Sequence, residues 1–153
     1  MHHPAELAIN QYLEDATSGK STMSEETILQ IGTDVMDAMR RQFGGGKGRD
    51  EFRLRMSNIG KPTCQLWFAK NKPEEALPKP TTFVMNMLLG DIVEAAFKGI
   101  IKEAGYPYED KDNFVSLELG GATIKGSYDI VVDGAMDDVK SASDWSYRNK
   151  FAS

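Results

Sequence analysis

The sequence predicts an α/β domain in which helices come first and a small sheet follows. Three observations carry that expectation. Apolar residues recur at helical spacing from Thr22 to the triple glycine Gly44-Gly45-Gly46, and again from Thr81 to Ala104. From Asn113 the period drops to two, with Val115, Leu117 and Leu119 alternating with Ser116 and Glu118. Further on, Asp133-Gly134 stands between two strand-like runs, a strong signal for a two-residue hairpin turn.

Each element follows from local chemistry. Residues 1–20 predict a short helix with a polar exit, Thr17-Ser18-Gly19-Lys20. Thr22-Met23-Ser24-Glu25 fits a capping box, in which hydroxyl and carboxylate satisfy the unpaired N–H groups of the next helix. Ile28, Ile31, Val35 and Met39 are the expected core-facing stripe of that helix. Pro62 opens a short helix through Trp67 to Lys70, and Pro73, Pro78 and Pro80 mark a loop. The long helix from Thr81 ends at Gly105, with Phe83, Met87, Ile92, Ala95 and Ile100 on its apolar surface and its methionines as core filler. Val115 to Leu119 predicts a half-buried strand with Ser116 and Glu118 facing out, and Gly120-Gly121 a turn. Ala122 to Val132 reads as one strand and Ala135 to Ser141 as the next. Residues 142–153 read as the start of another helix.

Composition limits the function classes. The chain has 153 residues, one domain's worth. A net charge of −5 argues against a basic coat, so any nucleic-acid contact must be local. Such a locality exists: Arg40, Arg41, Lys47, Arg49, Arg53 and Arg55 face only Asp50 and Glu51 in the same stretch. That segment reads either as a phosphate-contacting strip or as a solvated loop beside a helix C-terminus, where cations are favoured anyway. Lys61 and Lys125 carry the same two readings. The single cysteine, Cys64, cannot form an internal disulfide or a four-cysteine metal site, and reads as a small buried hydrophobe in a reducing, cytoplasmic setting. No apolar run has the length of a membrane span, and no signal-peptide run is present at the N-terminus. His2 and His3 read as a solvated terminus.

The hairpin brings chemistry together. A two-residue turn at Asp133-Gly134 pairs Val132 with Ala135, and the same register carries Asp129 opposite Asp138. Two carboxylates so placed repel each other. They are tolerated if solvated, or if a cation sits between them. Mg²⁺ suits such a place, since it takes oxygen ligands and binds through one or two carboxylates. Lys140, two residues beyond Asp138, shares its face, whereas Val139 points the other way, into packing. Glu94 lies one turn after Gly90 on the long helix. It reads either as a solvated glutamate or as a further ligand, with Gly90 allowing close approach of helix and sheet.

Three segments in this order, Gly90-Asp91-Ile92-Val93-Glu94, Gly126-Ser127-Tyr128-Asp129 and Asp138-Val139-Lys140-Ser141, resemble the motifs of the PD-(D/E)XK nucleases. The likeness is to the RecB-like and lambda-exonuclease-like branch, including phage recombination exonucleases and CRISPR-adaptation nucleases. Ser57-Asn58-Ile59-Gly60 and Cys64-Gln65-Leu66-Trp67 resemble the segment before the core in that branch, with Gln65 where arginine is common. The resemblance covers residues 55 to 145. It implies a restriction-endonuclease-like core, a mixed central sheet flanked by helices, spanning residues 56–153 after an N-terminal helical and basic segment, 1–55. It implies DNA as substrate, and Mg²⁺ or Mn²⁺ held by Asp129, Asp138, Glu94 and the Val139 carbonyl, with Lys140 positioning the attacking water. Arg40, Arg41, Lys47, Arg49, Arg53, Arg55, Ser57 and Lys61 would contact DNA. The iron–sulfur cluster of some relatives is not expected with Cys64 alone. The family core continues past Asp-x-Lys with a helix and a strand, so a chain cut short after the third core strand is expected. Such a chain would act as an exonuclease in a bacterial or phage-infected cell, as a homo-oligomer or beside a recombination partner. The alternatives are a DNA-binding module without turnover and a non-enzymatic α/β interaction domain.

Overall fold

A 23-residue helix, α4 (Thr81–Glu103), is the support on which the rest is assembled. The computed structural model describes residues 3–44, 52–111, 114–142, 145, 148 and 149. Ahead of α4 come α1 (Pro4–Thr17), α2 (Glu25–Phe43) and α3 (Thr63–Asn71), with single 3₁₀ turns at Met56–Asn58 and Pro73–Glu75. After it come β1 (Tyr108–Glu109), β2 (Phe114–Leu119), β3 (Ala122–Ser127), β4 (Ile130–Val132) and β5 (Ala135–Asp137). The chain is therefore mixed α/β. The helix expected over residues 142–153, Lys47 and Arg49, and Asn113 at the expected strand start fall wholly or mostly outside the described residues.

Instead of one mixed central sheet, the described strands form two small antiparallel sheets. One has the order β1-β4-β5 and the other is the β2–β3 hairpin. A single parallel bridge, Arg55 to Lys125, is supported by the Lys125 amide donating to the Leu54 carbonyl at 3.2 Å. The strand expected over Ala122 to Val132 is broken at Tyr128-Asp129, so that its two halves enter different sheets. The hairpin turn is as expected: Val132 pairs with Ala135, and Asp133 and Gly134 have φ of 50° and 78°, the two positive values a type I′ turn requires. β1 was not foreseen; two residues are too few to show a period. It pairs with β4 through Tyr108–Val132 and Glu109–Val131.

The core lies where α4 meets the three-stranded sheet. Ile101, Ile130 and Val132 are buried there, with Ala5 and Ile9 of α1, Tyr106, Tyr108 and Val139 packed around them. Val139 thus points into packing, as its place in the strand implied. The start of α1 is capped by His3: the Ala5 amide donates to His3 Nδ1 at 3.2 Å. His3 Nε2 lies 3.5 Å from Asp133 Oδ2, which also accepts from the Tyr106 hydroxyl at 2.6 Å. His3 is solvated as expected, with its side chain 55% exposed, but these contacts hold it in place; His2 lies outside the described residues.

The α2–α4 seam departs from the expected stripe. Ile28 and Met39 are 46% and 45% exposed, whereas Thr27 and Ala38 are buried. The seam needs small groups because the backbones come close. A Cβ on Gly99 would stand 2.4 Å from Ile31 Cδ1 and 3.1 Å from Thr27 Cγ2. The cap differs too. Ser24, not Thr22, caps α2, accepting from the Thr27 amide at 3.3 Å, and the answering carboxylate is Glu103 of α4 rather than Glu25. Ser24 Oγ donates to Glu103 Oε1 at 2.6 Å and Thr27 Oγ1 donates to the same oxygen. The Ser24 and Thr27 hydroxyls hold Glu103 below the usual carboxylate range. Gly90, by contrast, has nothing within 4 Å of where its Cβ would be, so it is not the close-approach glycine.

Further corrections concern exposure. Cys64 is exposed, because α3 buries none of its residues. Phe83, Met85 and Met87 are exposed as well, so these methionines do not fill a core. On β2 only Val115 is half-buried, and Leu117 and Leu119 are exposed. Among the described residues no helix is long and apolar enough to cross a membrane.

The two glycines of α4 make a paired prediction. Gly99→Val should cost about 1–3 kcal/mol through overpacking against Ile31. Gly90→Ala should instead gain about 1 kcal/mol of helix propensity. Urea midpoints at unchanged slope are the measurement.

Candidate functional site

The end of the β4–β5 ladder sets the geometry of the site. The register runs Val132–Ala135, Val131–Met136, Ile130–Asp137, and the Asp129 amide donates to the Asp137 carbonyl at 3.3 Å. One step on, the carboxylate takes over. Asp129 Oδ2 accepts the Val139 amide at 2.7 Å. A side-chain oxygen has replaced a backbone acceptor. This ends the strand that was expected to run to Ser141, and it fixes Asp129 beside the Asp138-Val139-Lys140 segment.

A cleft between α4 and this segment is lined by Gly90, Asp91, Glu94, Asp129, Val139 and Lys140, among others. The three motifs therefore meet in space. Open space at Gly90 leaves the cleft unobstructed on the helix side. Burial pushes the Asp129 carboxyl above the usual carboxylate range; the Val139 amide opposes this, while the nearby charges of Glu94 and Asp138 add to it. Lys140 is held above its ordinary value, chiefly by its bond to Asp138, with Asp129 and Glu94 adding to the effect. It thus brings a positive charge and hydrogen-bond donors to the cleft.

Two carboxylates already have lysine partners. Lys140 Nζ lies 2.6 Å from Asp138 Oδ2, and Lys98 Nζ donates to Glu94 Oε1 at 2.6 Å. The Asp138 side chain is 56% exposed, yet it stays within hydrogen-bonding reach of the Asp129 carboxyl. Beside Glu94, Asp91 Oδ2 is buried with no hydrogen-bond partner among the described residues; Arg41 Nη2 approaches it at 3.4 Å as an ion pair. The donors are all oxygens, the chemistry a hard divalent cation takes. Asp129 also sits in an excess of negative charge that a cation would relieve. In donor type and charge the residues fit Mg²⁺ or Mn²⁺. As they stand, no three His, Cys, Asp or Glu side chains among the described residues converge at metal-holding distance.

The expected DNA-contacting residues separate into two groups. At the end of α2, Arg40 pairs with Asp37 at 2.7 Å and Arg41 with Asp91. Beside β3, Arg53, Arg55 and Ser57 line one cleft with Lys125. Lys61 donates to Asn58 Oδ1 at 3.3 Å. Sequence reasoning missed Lys98 and Asp91. The signal for Lys98 was present in its i,i+4 spacing from Glu94; that for Asp91 was only its place inside the glycine–glutamate motif. The chain matches no protein-family model, no curated protein and no solved structure.

Asp129 gives a test of the site's electrostatics. A carboxyl with a raised folded pKa binds its proton more tightly in the folded chain than in the unfolded one. Its contribution to stability is present below the ordinary aspartate value and is lost as pH rises through the raised folded value. Asp129→Asn keeps an acceptor for the Val139 amide and removes the charge. Thermal melts from about pH 3 to about pH 8 should show the variant gaining on the parent as pH rises. A parent that gains on the variant over that range would contradict the assignment.

Proposed function

We propose that the chain is a metal-dependent deoxyribonuclease of the PD-(D/E)XK type, acting on DNA as an exonuclease in a bacterial or phage-infected cell. The observation that carries the reading is the meeting of Glu94, Asp129 and Lys140 in one cleft, with the Asp129 carboxyl raised by burial among like charges. Asp129, Glu94, Asp138 and the Val139 carbonyl would hold Mg²⁺ or Mn²⁺. Such an ion lowers the pKa of a bound water and offsets charge on a phosphoryl oxygen. The chain's own contribution is positional. The Val139 amide orients Asp129, and protonated Lys140 directs a hydrogen bond and a positive charge at the attacking water and the phosphate. Lys98 holds Glu94 until a competing cation arrives. Arg53, Arg55 and Lys125 would attract the strand, since phosphate contacts supply most of the sequence-independent affinity.

A second reading, a DNA-binding module without turnover, is favoured by the lysine partners of Glu94 and Asp138. End-labelled linear duplex and single-stranded DNA, with Mg²⁺, with Mn²⁺ and with EDTA, separates the two. Under the nuclease reading, metal-dependent cleavage falls by roughly 10²–10³-fold in Lys140→Ala, the range for loss of one preorganised donor aimed at developing charge. Asp129→Asn should fall at least as far, and a ladder of single-nucleotide products marks an exonuclease. Retained DNA binding with no cleavage in either metal would select the second reading.

A further inference from the structure

We propose that one face of the β2–β3 hairpin, carrying Phe114 and Lys125, is a stacking platform for single-stranded DNA. This rests on the DNA-directed reading for its substrate class and adds the strand form and the residues that recognise it.

The face is defined by register. Directly paired residues share a face, and alternate residues along a strand lie on the same side. Phe114 pairs with Ser127 and Ser116 with Lys125, so these four lie on one side. The bridge from Arg55 to Lys125 adds a third row, in which Arg55 and Arg53 share that side. The opposite side holds Val115, Ile124, Leu54 and Met56. Contact settles the assignment there: a Cβ on Gly126 would stand 2.6 Å from Met56 Cγ and 3.2 Å from Val115 Cγ2. Exposure alternates accordingly, with Arg53, Arg55, Lys125 and Ser127 exposed and Leu54, Met56, Ile124 and Gly126 half-buried.

Phe114 is out of place on such a face. The other apolar residues of β2, half-buried Val115 and exposed Leu117 and Leu119, lie on the opposite side, whereas this ring stands among serines and cations and is 75% exposed. The charge is equally local. In a chain of net charge −5, two adjoining clefts share Arg53 and Lys125 and are completed by Arg55 and Lys70, and among the described residues that line them none is acidic. Glu118, at the far end of the face, accepts a hydrogen bond from Thr123. Cations that track a backbone beside an aromatic ring are what an unpaired strand requires: phosphates meet Arg and Lys, and a base stacks on the ring. A duplex keeps its base faces stacked inside and offers Phe114 nothing comparable along its length. Inorganic polyphosphate would use the cations alone.

Fluorescence anisotropy of a labelled oligothymidylate, in EDTA so that binding is read without turnover, tests this. Duplex DNA of equal length and inorganic polyphosphate serve as comparisons. The full chain should bind the single strand most tightly. Phe114→Ala should weaken that binding by about tenfold and leave polyphosphate binding unchanged. Phe114→Leu should match Phe114→Ala, and Phe114→Trp should restore affinity. Lys125→Ala should reduce the salt slope for the single strand by about 0.7. Equal or tighter binding of the duplex, parental affinity in Phe114→Ala, or no binding of the single strand overturns the platform. Cleavage that depends on Lys140, alongside a neutral Phe114→Ala, would sink this inference and leave the nuclease reading standing. Single-strand binding that depends on Phe114, without cleavage in either metal, would do the reverse.

Discussion

Between Asp129 and Val139 a carboxylate oxygen stands where a backbone carbonyl would otherwise continue the ladder. Much follows from that substitution. It ends β5 at Asp137, leaving Asp138 and Lys140 off the regular sheet. It holds one carboxylate partly out of water, next to two others. Because Val139 is also packed on the Ile101 cluster, the position of Asp129 is set by the core itself. A site anchored to buried side chains keeps its geometry better than one carried on a loop.

The core that does the anchoring is small. Among the described residues the buried hydrophobics are Ala38, Leu88, Ala95, Ile101, Ile130 and Val132, half of them on α4. The same helix offers one side to α2, through Gly99 and Ala95, and another to the sheet, through Ile101. Glu94 and its lysine, Lys98, line a cleft with Ala95, Gly99 and the α2 residues Thr27 and Ile31. Helix α4 thus couples the packing of the N-terminal helices to the position of a carboxylate in the cleft. The Ser24–Glu103 and Glu26–Lys102 contacts fasten the C-terminal end of α4 to the start of α2.

How much of this the sequence revealed depended on the range of the forces involved. The Asp133-Gly134 turn was legible because a type I′ turn demands positive φ at both residues and few residue pairs tolerate it. The meeting of Asp129 with the Asp138–Lys140 segment followed from the turn by counting. Helix α4 was legible from its period, and its end from Gly105, whose φ is +69°. The seam of α2 was read in part: Ile31 and Val35 are half-buried as expected, but Ile28 and Met39 are exposed, and the small residues Thr27 and Ala38 are the buried ones. The break at Tyr128-Asp129 was hidden because it depends on a side chain accepting a distant amide. The basic strip was legible as composition, but its division between the end of α2 and the edge of β3 is a matter of fold. For Phe114 the signals conflicted: the period of two that turned Ser116 and Glu118 outward puts it on the same side, but an apolar residue at a strand start reads as core.

The exposed Cys64 has a practical side. It is the chain's only thiol, and α3 buries none of its residues. A maleimide-linked fluorophore or spin label would therefore attach at one defined position, with no second cysteine to compete and no core side chain to displace. The same exposure lets two copies of the chain join through Cys64 under oxidising conditions, so a covalent dimer on a non-reducing gel would report this thiol's chemistry and not an interface of the fold.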